Sequence, residues 1–316
     1  MKRIWTGAVI TAILVVAFLL REVNLFLFDI CIGVFALFAS LEVAKLLIKA
    51  KKGNLVLPVL LYTSIAYLFL LLGINYNLGL GQLFVGLVLL LLVVFIATYA
   101  YIYFAKERTK LRMELDEKDG KVSRYALQSS ISTIFNCIYP SVFLLLFVIL
   151  NHIDSFGSSL SNLTLFQNAD LGLVLILFVL ITSAFSDIFA YFVGSLFGGK
   201  KLCPTISEKK TISGAIGAII GSVLGCVIFY ILACTNGYIA NGFAGLGLTL
   251  PWFVVIGIFA SIITQLGDLF ESVLKRRANV KDSGHILPGH GGLMDRVDGI
   301  TFNLVFVLVL FIILLI

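Results

Sequence analysis

Ten charged side chains crowd into residues 268–298, between two strongly apolar stretches. They are Asp268, Glu271, Lys275, Arg276, Arg277, Lys281, Asp282, Asp295, Arg296 and Asp298. The chain holds 23 basic and 17 acidic residues, so a quarter of its charge falls in a tenth of its length. Charges beside a bilayer core are costly, and such a cluster marks a site. Its mixture of types indicates the chemistry. Carboxylates suit a hard cation, Lys and Arg suit phosphate, and a Gly289-His290-Gly291-Gly292 turn lies between them. Together they point to phosphoryl or nucleotidyl transfer at a membrane surface.

Three segments carry fixed residue types at fixed gaps. The first is Ser272-x-Leu274-Lys275-Arg276, then Lys281-Asp282-x-Gly284, then Leu287-Pro288-x-His290-Gly291-Gly292-Leu293-x-Asp295-Arg296-Val297-Asp298. It resembles the signature of the phosphatidate cytidylyltransferase (CDP-diacylglycerol synthase) family, without departure. A second segment, Ser186-Asp187 followed by Ala190-Tyr191 and Gly194, resembles that family's other conserved patch. The third, Ser207-Glu208-Lys209-Lys210-Thr211-Ile212-Ser213-Gly214, looks like the family's Ser-Pro-Lys-Lys-Thr-x-Glu-Gly element. It departs twice, with Glu208 in place of Pro and Ser213 in place of Glu.

The resemblance implies a reaction of CTP with phosphatidic acid that gives CDP-diacylglycerol and pyrophosphate, for phospholipid synthesis. The phosphate of phosphatidate is already largely ionised near neutral pH, so a strong general base is not essential. The difficulty is to bring two anions together. In this reading Asp268, Lys275, Asp295 and Asp298 are catalytic. Mg²⁺ is held by Asp268, Asp295, Asp298 and Asp187, and the family implies a second cation such as K⁺. Ser272, Arg276, Lys281, His290 and Arg296 bind substrate, with Lys209, Lys210 and Thr211 gripping phosphate. Asp268, Ser272 and Lys275 are spaced i, i+4, i+7 and so share one helical face. A homodimer is expected from the family, and no nucleic-acid partner.

The elements that must position these residues are apolar. Hydrophobic residues make up 60% of the chain, charged ones only 13%, and the mean hydropathy is +1.09. Soluble domains carry about 25% charged residues. The composition excludes an ordinary soluble domain and indicates an all-α integral membrane protein. Nine stretches have roughly the 20 residues a crossing helix needs. They lie near 4–20, 25–48, 55–73, 79–104, 127–150, 171–197, 212–234, 248–269 and 299–316. The first ends in Arg21-Glu22-Val23-Asn24 rather than a small-residue cleavage site, so it reads as a retained span. Nine spans put 21 of the 23 basic residues on one side. By the positive-inside rule that side is cytoplasmic, with the amino terminus inside and the carboxy terminus outside. One span more or fewer would scatter the basic loops. The charged loop 105–125 separates a four-helix part, 1–125, from a five-helix catalytic part, 126–316. A bacterial inner membrane, with the site facing the cytoplasm, is the expected setting.

The remaining features read as structure. Five scattered cysteines show no metal spacing and lie mostly in apolar runs. Gly217, Gly221 and Gly225 recur every four residues, a stripe that lets helices approach closely. His285 and His290 lack a helical zinc pattern. Another lipid nucleotidyltransferase or a lipid kinase is the nearby alternative, left open by the altered Ser207–Gly214 element. A transporter would instead spread charge through midplane helices in two repeats, whereas here the charge collects at one interface.

Overall fold

The computed structural model describes residues 2–105, 121–284, 286 and 291–316. The loop 106–120, and with it most of the charged loop, lies outside the described residues, as do His285 and 287–290. Helices run from α1 (Lys2–Val23), α2 (Leu25–Lys49), α3 (Val56–Asn75) and α4 (Leu80–Ala105) to α5 (Lys121–Asn136) and α6 (Phe143–Asn151). They continue with α7 (Leu171–Phe197), α8 (Ile212–Ala233), the short α9 (Gly237–Gly245), α10 (Leu250–Arg277) and α11 (Asp298–Leu315). Among the described residues eight helical spans are long and apolar enough to cross a membrane. The protein is an all-α integral membrane protein. The helix α1 covers the first expected span.

Two compact units form: Met1–Leu145 with Arg277–Met294, and Leu146–Arg276 with Asp295–Ile316. In the first unit, α4 shows how lipid shapes a sequence. It leaves Val85, Val88, Leu89, Leu92, Val93 and Ile96 exposed, a surface that water would penalise and hydrocarbon does not. The fifth span has the opposite problem, since Ser129, Ser130, Thr133, Asn136 and Ser141 dilute it. These residues are buried in protein instead. The Ser141 hydroxyl lies 2.7 Å from that of Ser40 and 2.9 Å from that of Thr63. Asn136 Nδ2 donates to the Ser40 carbonyl at 3.2 Å. The span is not one rod. Tyr139 has non-helical φ −115° and ψ 112°, because a residue before proline is pushed out of the helical region and Pro140 brings no N–H.

In the second unit α7 and α8 make the most extensive helix contact. The glycine stripe makes it possible. A Cβ at Gly217 would lie 2.5 Å from Val193 Cβ, and one at Gly221 would meet the Phe185 carbonyl oxygen and lie 2.5 Å from Phe189 Cβ. The core beneath is aromatic, with the Phe178 ring 4.8 Å from Phe229 and Phe243 5.2 Å from Phe253. The helix α11 is tied to α7 by Asn303, whose Nδ2 reaches Thr182 Oγ1 at 2.8 Å, Ser183 Oγ at 2.9 Å and the Val179 carbonyl at 3.2 Å. Hydrogen bonds between membrane helices average about 0.6 kcal/mol and reach about 1.7. Replacing Asn303 by Leu is therefore expected to lower stability by about 1 kcal/mol, read as a small fall in the unfolding temperature in detergent.

The stretch between the spans expected at 171–197 and 212–234, which holds Lys200, Lys201, Lys209 and Lys210, reads in sequence as a loop. It is a hairpin, β1 (Lys201–Cys203) antiparallel to β2 (Ser207–Thr211), with Lys201 opposite Thr211. The chain passes directly from β2 into α8. Thr211 is extended (φ −112°, ψ 157°), and its hydroxyl accepts from the Gly214 N–H at 3.1 Å. That is an N-cap, which satisfies one otherwise orphan donor of the first turn. Ser213 occupies the position of the missing carboxylate. Its hydroxyl donates to the Gly198 carbonyl and sits 3.0 Å from Thr211 Oγ1. The substitution thus has a local use in fastening the start of α8.

Candidate active site

The helix α10 carries the first part of the site. Its apolar run ends near residue 269, yet the helix continues to Arg277. Asp268, Glu271, Ser272 and Lys275 therefore project from one rigid element, on neighbouring turns. Two glycines bring α10 against the start of α11. A Cβ at Gly267 would lie 2.7 Å from the Asp298 carbonyl oxygen, and one at Gly299 would lie 2.7 Å from Thr264 Cγ2. Asp298 opens α11, where the helix dipole favours a carboxylate, and its Oδ1 accepts from the Gly299 N–H at 2.8 Å.

Close packing there assembles a chain of acids and bases. Lys275 Nζ is 2.6 Å from Asp295 Oδ1 and 3.8 Å from Glu271 Oε2. The Lys275 and Asp295 side chains are 13% and 8% exposed, and Glu271 is fully buried. Glu271 also meets Asp298, carboxyl to carboxyl. Neither Glu271 oxygen has a hydrogen-bond donor among the described residues. Lys210, from β2, places Nζ 2.6 Å from Asp268 Oδ2, an ionic approach without the alignment of a hydrogen bond. Asp187, on α7, lies within electrostatic reach of Asp268, Asp298, Lys210 and Arg296.

A cavity of about 420 Å³ opens beside this cluster. Asp187 and Asp268 line it together with Lys209, Lys210 and Thr211. Three segments far apart in sequence thus contribute to one space. Its walls combine acceptors for a cation with donors for a phosphate, and the apolar faces of α7 and α8 complete it. Gln265 also lines the space and donates to Ser261 Oγ at 3.1 Å.

The expected site residues distribute as follows. Asp187, Asp268, Asp298, Lys210 and Arg296 share one electrostatic cluster, and Lys275 and Asp295 form its ion pair. Ser272 is buried on α10. Arg276 serves the hairpin, its Nε donating to the Ile206 carbonyl at 3.1 Å. Lys281 belongs to the other unit, where it lines a separate cavity with Glu42, Lys45 and Lys49. His290 lies outside the described residues. Among the described residues no three Asp, Glu, His or Cys side chains close on a common point. Asp268 and Asp295, both expected as cation ligands, each hold a lysine ammonium here. Sequence reasoning gave no role to Glu271. Its spacing carried a signal, three residues after Asp268 and four before Lys275, on the same face.

The fold and site define a polytopic membrane protein with a buried cluster of acids and bases. The chain belongs to the cytidylyltransferase family, whose profile matches residues 1–314. It is 40% identical over 135 residues to the phosphatidate cytidylyltransferase of Bacillus subtilis, covering 43% of this chain and 46% of that protein. The protein of the same name from Brucella abortus biovar 1 is 41% identical over 146 residues, 46% of this chain and 50% of the relative. That of Thermotoga maritima is 37% identical over 133 residues, 42% of this chain and 47% of the relative. The matches thus span about half the length of the curated relatives.

Proposed function

We propose that this protein transfers a cytidylyl group from CTP to phosphatidic acid, releasing pyrophosphate and forming CDP-diacylglycerol. The observation that carries the reading is the 420 Å³ cavity, where Asp187 and Asp268 share a space with Lys209, Lys210 and Thr211. An apolar wall beside paired charges suits a substrate with one lipid end and one ionic end. The family and the names of the relatives support the same choice.

The donor types suit Mg²⁺, but in this arrangement no three of them close on a common point among the described residues, and Asp268 and Asp295 each hold a lysine. All its candidate ligands are carboxylates, the hard oxygen donors that ion takes, and the two Glu271 oxygens are buried without a hydrogen-bond donor among the described residues. Asp268, Asp295, Asp298 and Asp187 would hold it, with Asp268 and Asp295 exchanging their lysines for the ion. When bound, the ion supplies charge neutralisation at the reacting phosphates. The protein side chains do the rest. Lys209, Lys210 and the Thr211 hydroxyl bind the triphosphate as fixed donors, which strengthens as water leaves the cavity. Lys275 and Arg296 balance the acids, so that a second anion can approach. A phosphatidate monoester needs no base to become the nucleophile. Its phosphate oxygen attacks the α-phosphorus, and the bond to the leaving pyrophosphate breaks. In this reading the basic loops and the site face the cytoplasm of a bacterial cell, where CTP is found, and the lipid enters from the bilayer.

The test is incorporation of radiolabelled CTP into lipid by purified protein in detergent, given phosphatidic acid and Mg²⁺. Labelled CDP-diacylglycerol is expected, and excess chelator is expected to remove at least about 99% of it, as loss of a charge-stabilising group costs about 100-fold or more. Product that survives chelation would remove the cation from the reading. Label appearing only with a different lipid acceptor would replace phosphatidate.

A further inference from the structure

Glu42, on α2, has no part in the reaction above, yet it is 1% exposed and carries a carboxyl group. Its Oε2 accepts from the Met294 backbone N–H at 3.0 Å and from the Ser283 hydroxyl at 3.3 Å. Ser283 is 241 positions away in the sequence. Oε1 is buried and has no hydrogen-bond donor among the described residues. It lies against Gly284. A Cβ built there would run into Oε1 and come within 2.8 Å of Cδ, and its three nearest neighbours all belong to Glu42. A Cβ at Gly292 would lie 2.7 Å from Oε2. Gly284 therefore has a steric reason in the Glu42 carboxyl group, whereas at Gly292 the Ser283 hydroxyl and the Gly284 backbone lie closer still.

Burying a carboxyl group is expensive unless its oxygens are used. An apolar side chain would fill the same volume at lower cost but could not receive the Met294 N–H. Met294 is fully buried, so that N–H has no water to turn to. The next residue in the chain is Asp295. We infer that Glu42 is a positioning residue: its carboxyl group holds the Ser283 hydroxyl and the Met294 N–H, packs against Gly284, and so fixes the chain where it leads covalently into Asp295. The consequence for turnover rests on the cytidylyl-transfer reading. The contact itself does not.

The chemistry makes a distinctive prediction. The Gln amide keeps one acceptor oxygen and can receive both donors, whereas Ala receives neither. The full chain in detergent is compared as parent, Glu42→Gln, Glu42→Ala, Gly284→Ala and the Glu42→Ala/Gly284→Ala double variant. Glu42→Ala is expected to speed hydrogen exchange at the Met294 amide at least about tenfold, as its bond is lost. It is expected to lower kcat about 100-fold while KM for CTP moves less than about threefold, since misplacing a reacting group by about 1 Å costs that much. Glu42→Gln should stay within about threefold of the parent on both readouts, because its bonds persist. Gly284→Ala should resemble Glu42→Ala, and the double variant should be no worse than either, because the clash disappears with the side chain.

Unchanged Met294 exchange in Glu42→Ala would overturn the inference, as would Gln behaving like Ala. So would effects that multiply in the double variant. If the parent makes no CDP-diacylglycerol, the functional reading fails separately, and exchange at Met294 still decides the role of Glu42.

Discussion

Lys275→Ala is expected to abolish measurable turnover and to destabilise the protein by about 3–5 kcal/mol, the cost of breaking a buried ion pair by removing one partner. The reason is local. Lys275 Nζ is 2.6 Å from Asp295 and 3.8 Å from Glu271, and all three are buried or nearly so. Without the ammonium, two carboxylates remain in a place that water barely reaches. Asp295→Ala strands the cation instead, though Glu271 still faces it, so its stability loss should be smaller. Loss of activity alone would not separate chemistry from folding. The paired replacement Lys275→Met with Asp295→Leu does, because exchanging a whole buried ion pair for apolar groups is often neutral or stabilising. That double variant is expected to regain the unfolding temperature of the parent while its turnover stays at least about 100-fold down, the scale of a lost electrostatic contact at a reacting centre. A stable and active double variant would reduce the pair to scaffolding.

The second large effect is steric. Gly221→Leu is expected to cost about 3 kcal/mol or more, at or beyond the upper end of the 1–3 kcal/mol typical of overpacking. What a side chain at 221 meets is mostly immovable, since the Phe185 carbonyl oxygen is part of the α7 backbone. The two helices would have to separate, and the hairpin with Lys209 and Lys210 hangs between them. Activity should therefore fall with stability. Gly81→Ala is the control. Nothing lies within 4 Å of a Cβ there, and Ala is favoured over Gly in a helix by about 1 kcal/mol. Its unfolding temperature is expected to hold or rise slightly. If both substitutions behaved alike, close approach along the stripe would not be what holds α7 to α8.

The sequence was informative wherever one physical signal dominated. Long apolar runs placed most of the helices to within a few residues, because lipid-facing surface needs continuous hydrophobicity; the exceptions are the broken fifth span and the extended end of α10. The i, i+4, i+7 spacing of Asp268, Ser272 and Lys275 held because the helix runs on after its hydropathy ends. The hairpin was missed for the opposite reason. Lys201–Cys203 and Ser207–Thr211 show no alternation of apolar and polar residues, so pairing is visible only once the strands are in place. Ser213 looked like a lost carboxylate and is a fastening for α8. Glu42 gave no sign at all, being one of two acids, with Asp29, in an apolar run, and its partners lie more than 240 positions away. Contiguity in sequence is not membership of one compact unit. Lys281 and Asp295 belong to one uninterrupted signature, yet they fall in different compact units.

The length of α10 has a consequence for the membrane itself. Its 28 residues at 1.5 Å each make a rod of about 42 Å, against a hydrocarbon core of about 30 Å. Ile258, Phe259, Ile262 and Leu266 are exposed along it, and Asp268 follows within a turn. The greasy and ionic parts of this rod cannot slide past one another. A bilayer that thickens by a few ångströms must tilt the rod, thin around it, or draw Asp268 toward the oil. One turn of helix, about 5.4 Å, is all that separates Asp268 from Ser272. The depth of Asp268 and Ser272 and the thickness of the surrounding lipid are in this way a single mechanical variable, and chain length in the bilayer becomes a lever on this end of α10.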